Sequence, residues 1–302
     1  LVTIFALGGF NSAFNPVKEV APQLLSLSFR PGIEFAVALI IAILSANMFH
    51  QGFWQRVYTC RDERTLRNAY TIGGVVIIPI IIIAGLFGII AMGSANPPTE
   101  PSVAFFSLIN NELATWAVML VLILALVLVM SSMDTLLNGI SSTITTELRR
   151  LHPGIAPIPL LRSSRVITVL VALPAVFIAK QGYSVLYLFL IADLVCAGSV
   201  FPVFFGLYNK RLTSTAALVS CIVGIVVGAF FFPKPDLITP LVNLPGAGKF
   251  MYSFGASLGT SSLLAIGWSL VTSLRPNSYE YDYHQLREQV HLIHGQGESS
   301  LR

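Results

Sequence analysis

Residues 118–139 read VMLVLILALVLVMSSMDTLLNG. The first dozen residues are unbroken hydrocarbon, which suits a helix immersed in lipid. The end of the stretch brings two serines, an aspartate and an asparagine. On a helix, Ser131, Asp134, Asn138, Ser141 and Thr145 share one face, and Ser132, Thr135, Gly139, Ser142 and Thr146 form the adjacent row. Two readings fit the serines. They pack against another helix, as small residues do in membranes, or their hydroxyls ligate a hard cation such as Na+, which takes several oxygens. Asp134 sharpens the choice. A carboxylate at membrane depth is costly and faces a cavity, a partner or an ion, unless it lies at the cytoplasmic interface.

The rest of the chain agrees with a membrane setting. Of 302 residues, 55% are hydrophobic and 11% charged, and the mean hydropathy is +0.77. Soluble domains carry about 25% charged residues. Apolar stretches recur at 33–57, 70–95, 113–135, 164–180, 183–207, 214–232 and 250–274, after an apolar start at 1–10. Each is near the roughly 20 residues that cross a bilayer. The expected fold class is an all-α polytopic membrane protein, because long unbroken runs exclude a barrel. Residues 1–10 read as the end of a transmembrane helix whose beginning lies upstream. Gly73, Gly74 and Pro79 are expected to break the 70–95 span; Pro174, Gly198 and Pro202 sit inside others. Several such residues together fit a transporter with broken helices.

The net charge of +4 does not point to nucleic acid, because the basic residues sit in short loops between apolar runs. Arg56, Arg61, Arg64, Arg67, Arg149, Arg150, Arg162, Arg165, Lys210, Arg211, Arg275, Arg287 and Arg302 fall on one side of an alternating topology. Lys18, Arg30, Lys180, Lys234 and Lys249 fall on the other. The positive-inside rule places the larger set in the cytoplasm. Residues 275–302 then form a cytoplasmic tail, solvated or partly disordered, with a short amphipathic helix around Tyr283–Ile293. The cysteines Cys60, Cys196 and Cys221 form no CxxC pair, so neither a disulfide framework nor a zinc site is expected. No GxxxxGK[ST], HExxH or GxSxG pattern occurs, so an enzyme or a P-loop pump is not expected.

Two motifs give the chain a resemblance. SSMDTLLNGISS (131–142) is similar to the serine-pair motif of the sodium:solute symporter family, and SANMFHQGFWQRVYTCRDERTLR (45–67) resembles the end of that family's broken helix and the basic loop after it. GLYNKRLTSTAAL (206–218) also fits. The resemblance implies the second half of a two-repeat inverted symporter fold. Residues 33–207 would form the second five-helix repeat, opening with a discontinuous helix at 33–57, and 208–274 two peripheral helices. The first repeat, with the other half of the sodium site, would be missing and required for function.

By resemblance, Ser131 and Ser132 match the sodium-ligating hydroxyls, with Asp134 one turn further along. Asn47 matches a substrate-contacting asparagine of the sugar-carrying branch. His50 and Gln51 fall where that branch has an aromatic inner gate. Val75 stands where it has a substrate-binding lysine, which argues against a sugar. Phe49, Phe53 and Trp54 either line a substrate pocket or pack. His50 either titrates near neutral pH or is a neutral, hydrogen-bonded residue. Asp193, in mid-span, is either a cation or substrate contact or one half of a structural pair. Glu34 and Glu112, at outer helix ends, read as solvated.

The expected function is therefore sodium-coupled symport of a small polar organic solute, from the urea, amino-acid or carboxylate class, across the cell membrane by alternating access. Na+ is the coupling ion and no organic cofactor is expected. A proton-coupled carrier, a channel and a non-transporting scaffold are the alternatives.

Overall fold

A computed structural model describes residues 9–94, 96–98, 101–151, 157–274, 280, 281 and 283. The apolar start at 1–8 and most of the tail, including the expected helix near 283–293, lie outside them. The elements are α1 (Phe10–Val20), α2 (Arg30–Phe49), α3 (Gln51–Thr59), α4 (Glu63–Met92), α5 (Ala104–Glu112), α6 (Thr115–Leu151), α7 (Pro157–Lys180), α8 (Val185–Tyr208), α9 (Ser214–Phe231) and α10 (Phe250–Ser273). Two short 3-10 turns, Pro22–Leu25 and Pro101–Val103, complete the regular structure. Among the described residues six helices (α2, α4, α6, α8, α9 and α10) are long and apolar enough to cross a membrane. The expected span 164–180 lies within α7.

The surface supports that assignment. Leu120, Ile123, Leu124, Leu126 and Leu128 of α6 are all more than half exposed, as are Ile77, Ile78, Ile80, Ile81 and Ile82 of α4. Water would not tolerate such a surface; lipid tails do, because they are as apolar as the side chains. The molecule is an integral, multi-pass, all-α membrane protein.

The discontinuity expected within 33–57 is present, at His50, but the one expected in 70–95 is not. α4 runs uninterrupted through Gly73, Gly74 and Pro79. α7 contains Pro174 and α8 contains Gly198 and Pro202 without interruption. A proline removes one intrahelical hydrogen bond, and a long membrane helix keeps the rest because no water competes for them. The observed interruption is at His50, whose φ of −72° and ψ of 106° separate α2 from α3.

The chain divides into two compact units. Residues 1–33 and 50–186 form the first. In it, Ala13 of α1, Phe87, Ile90 and Ala91 of α4, and Ala104 and Leu108 of α5 form a buried cluster. Gly93 permits this contact: a Cβ there would stand 2.8 Å from the Val17 backbone nitrogen. The amino end of α4 is capped by Asp62, which accepts from the Thr65 backbone N–H at 2.6 Å. The Thr65 hydroxyl, then its backbone N–H, hold the Asp62 carboxyl below the usual carboxylate range.

Residues 34–49 and 187–302 form the second unit. Its centre is the α9–α10 hairpin, where small residues recur every fourth position: Ala216, Ser220, Gly224 and Gly228 against Ser253, Ser257, Ser261 and Ala265. This spacing puts the small residues on one face of each helix and lets the backbones approach. The Ser253 hydroxyl donates to the Gly228 carbonyl at 2.7 Å. Gly198 of α8 joins the same contact, since a Cβ there would lie 2.7 Å from Ile225 Cγ1.

One expectation is corrected in this unit. Glu34 is not solvated: Lys249 Nζ pairs with its Oε2 at 3.2 Å, because the start of α2 lies beside the start of α10. Of the described tail residues, Glu280 and Tyr281 are exposed and Tyr283 is half-buried, and all three touch the rest of the unit. Tyr281 N–H donates to the Lys210 carbonyl at 2.8 Å, and the Tyr283 hydroxyl donates to the Gly206 carbonyl at 2.9 Å. Glu280 lies 3.8 Å from Arg211.

Candidate functional site

The break at His50 and the polar rows of α6 belong to the same unit. His50 leaves helical geometry, yet its carbonyl accepts from Phe53 N–H at 3.0 Å and starts α3. Gly52 is buried and lies against α6: a Cβ there would stand 3.3 Å from Thr135 Cγ2 and 2.9 Å from His50 Cε1. Gln51 packs on Gly139, with its Cβ 3.5 Å from where a Cβ on that glycine would be. Gln55 Nε2 donates to Ser142 Oγ at 3.3 Å. The row Thr135, Gly139 and Ser142 is therefore the seat of the second half of the broken helix. Gly139 is what allows that close approach.

The other polar row organises itself. Asn138 Nδ2 donates to Asp134 Oδ1 at 3.1 Å. Ser141 exchanges a hydroxyl hydrogen bond with Thr168 of α7, which ties α6 to its neighbour. Ser132 donates to the Leu128 carbonyl at 2.9 Å and keeps its lone pairs free to accept. Ser131, Ser132 and Asp134 are exposed. They lie about 24–29 Å along α6 from Thr115, where the apolar run gives way to polar residues. The two adjacent hydroxyls can furnish part of a hard-cation shell; several further oxygens must come from elsewhere.

His50 is half-buried, and its Nδ1 has no hydrogen-bond partner among the described residues. Its ring centroid lies 4.8 Å from that of Phe53. Trp54 and Tyr58 are neighbours at 6.3 Å, and Arg56 lies over the Phe53 ring. Asn47 and Phe49 fall in the second unit and are exposed, with Phe49 against Phe204 at 5.9 Å. Asp193 is in that unit as well and is buried. A cavity of about 320 Å³ in the first unit is lined by Val103, Phe106, Ser107, Ile109, Asn110, Val118, Val121 and Leu122. None of the candidate residues lines it.

Residues 1–224 match the family model described as the sodium:solute symporter family. The chain belongs to this family. A spermidine transporter of Candida albicans is 27% identical to it over 213 residues, covering 68% of this chain and 39% of the relative. The chain thus spans about two-fifths of the length of that curated relative. No solved structure matches it significantly.

Reasoning from the sequence missed three contacts in this chain: Gly52 on Thr135, Gln51 on Gly139, and Gln55 to Ser142. The signal was present in the second polar row of α6. A small residue four positions after a threonine and three before a serine marks a packing seat. Its occupant is 80–90 residues away in sequence.

Proposed function

We propose that this chain carries the second five-helix repeat of a sodium-coupled secondary transporter, with 208–274 as peripheral helices. The observation that carries the reading is the helix broken at His50, whose second half is seated on the row of α6 beside Ser131 and Ser132. Interrupted helices expose carbonyls and amides that can meet ions in a membrane interior, where no water does so. Na+ held by the Ser131 and Ser132 hydroxyls would couple solute entry to the ion gradient, worth about 2.3 kcal/mol per charge per 100 mV. Asp134, next to the pair, attracts the cation. The remaining oxygens come from an inverted partner repeat, in keeping with the length of the relative.

The solute is a small polar organic molecule. Asn47, Phe49, His50, Gln51, Trp54 and Asp193 are its candidate contacts or gates. The relative's name, spermidine transporter, supports an amine-bearing solute over a carboxylate. The basic loops and the tail face the cytoplasm, and the protein resides in the cell membrane. The Nδ1 of His50, without a hydrogen-bond partner among the described residues, favours one second reading, in which a proton replaces Na+.

The test is uptake by the full-length protein with external Na+ exchanged for K+ at constant pH. Uptake should fall with Na+. Ser131→Ala combined with Ser132→Ala should raise half-saturating Na+ by about tenfold or more, the scale of losing one or two ion ligands. Sodium dependence unaltered in the double variant rejects the site. Uptake that follows the pH gradient alone selects the proton reading.

A further inference from the structure

Among the described residues Asp193 is the single buried charged side chain, 9% exposed. It accepts no hydrogen bond and forms no ion pair among those residues. It lies about 12 Å along α8 from Val185, deep within the span. Its neighbours on the buried face of the same helix, Leu190, Leu194 and Ala197, bring no polar side chain.

The second unit supplies no cation at that depth. Its described basic residues are Lys210, Arg211, Lys234 and Lys249. All four lie in the connections beyond helix ends, Lys249 with Glu34 and Arg211 with Glu280. Residues 34–49 of α2 contain no lysine or arginine either. α2 and α8 run in the same direction, as the aromatic contacts at their two ends show. Phe35, Phe250, Phe232 and Tyr187 touch in sequence at 5.7, 5.5 and 5.8 Å, and Phe49 meets Phe204 at the other end. Between those ties α2 buries only Ala38, Ala42 and Ser45. These small residues offer no positive charge.

A lone carboxylate in such surroundings is costly and calls for a cation from outside the unit. Na+ needs several oxygens, and the buried neighbours on α8 itself, Leu190, Leu194 and Ala197, provide none. An alkylammonium fits better. Its charge meets the carboxylate through up to three N–H donors, and its methylenes suit leucine and alanine walls. Resting on the transporter reading above, we propose that Asp193 is the counter-charge for an ammonium group of the transported solute. The solute class is then an aliphatic amine or polyamine.

The test uses purified full-length protein in nanodiscs, with putrescine as probe, its neutral analogue 1,4-butanediol as control, and thermal unfolding as readout. Putrescine should raise the unfolding temperature of the wild type and butanediol should not. Asp193→Asn should weaken the putrescine effect by about tenfold or more, the scale expected when one partner of a buried charge pair is lost. Asp193→Glu should retain most of it. Equal protection by the diol, or equal protection of Asp193→Asn, overturns the proposal. Should Asp193→Asn fail to fold, Asp193→Ser is read in its place, with the same outcomes. Putrescine binding without uptake leaves Asp193 standing and defeats transport. Sodium-driven uptake of urea with no diamine binding does the reverse.

Discussion

Gly228 of α9 and Ser257 of α10 are in contact so close that a Cβ on the glycine would stand 2.6 Å from the Ser257 Cβ. Ser253 O–H donates to the carbonyl of the same glycine. The hairpin is held by the absence of a side chain as much as by the hydrogen bond.

Gly228→Ala should therefore destabilise the protein by about 1–3 kcal/mol through overpacking. Gly255→Ala is the control, since nothing lies within 4 Å of a Cβ there, and it should change stability by less than about 0.5 kcal/mol. Thermal unfolding in detergent reads both. Equal effects would show that the contact is not close-packed.

Gly52→Ala tests the seat of the broken helix. The new methyl must displace the His50 ring and crowd Thr135. The expected result is a folded protein whose half-saturating Na+ and solute concentrations rise several-fold, from about 1–3 kcal/mol of strain at the seat. An intact uptake curve would separate the break from the transport cycle.

The Glu34–Lys249 pair, with side chains 19% and 56% exposed, is partly screened. Lys249→Ala should cost no more than about 1 kcal/mol, and less at high salt. Charge reversal at one position should cost more, and exchanging the two residues should recover the loss. A double-mutant cycle on melting temperature measures the coupling.

Asp62 carries a pH prediction. Its carboxyl is held below its ordinary value of 3.8 by Thr65, so its ionised form is favoured in the folded state. The cap's contribution is fully present above pH 3.8 and is lost as pH falls through the lower, folded value. The stability difference between wild type and Asp62→Ala should thus be flat from neutral pH to about 3.8 and shrink below it. A difference that shrinks already between pH 7 and 5 would assign the effect to another group.

Most helices could be read without coordinates. The run 118–129 has no charge to break it, and a membrane helix satisfies its own backbone, so length and apolarity suffice to place it. The basic loops, the serine rows and the family motifs were equally local. The breaks were legible only in part: the family resemblance placed a discontinuous helix at 33–57, and that helix parts at His50, but the residue types suggested others. Gly73, Gly74 and Pro79 looked like interruptions and lie within a continuous helix, whereas His50, with no proline or glycine at its own position, is where the chain leaves helical geometry. Gly52 next to it yields a close contact with α6.

The sequence by itself determined what each segment can do alone: cross a bilayer, cap at Asp62, or present hydroxyls in rows on α6. Only the tertiary structure decided which of those groups have partners. Glu34 and Asp193 are both carboxylates on membrane helices, yet one pairs with Lys249 and the other, buried, has no partner among the described residues. The physical reason is range. Helix formation and lipid preference are set by neighbours a few residues apart, but burial and pairing depend on which distant helix arrives at the same depth, here Lys249 at 215 residues from Glu34 and none for Asp193 among the described residues.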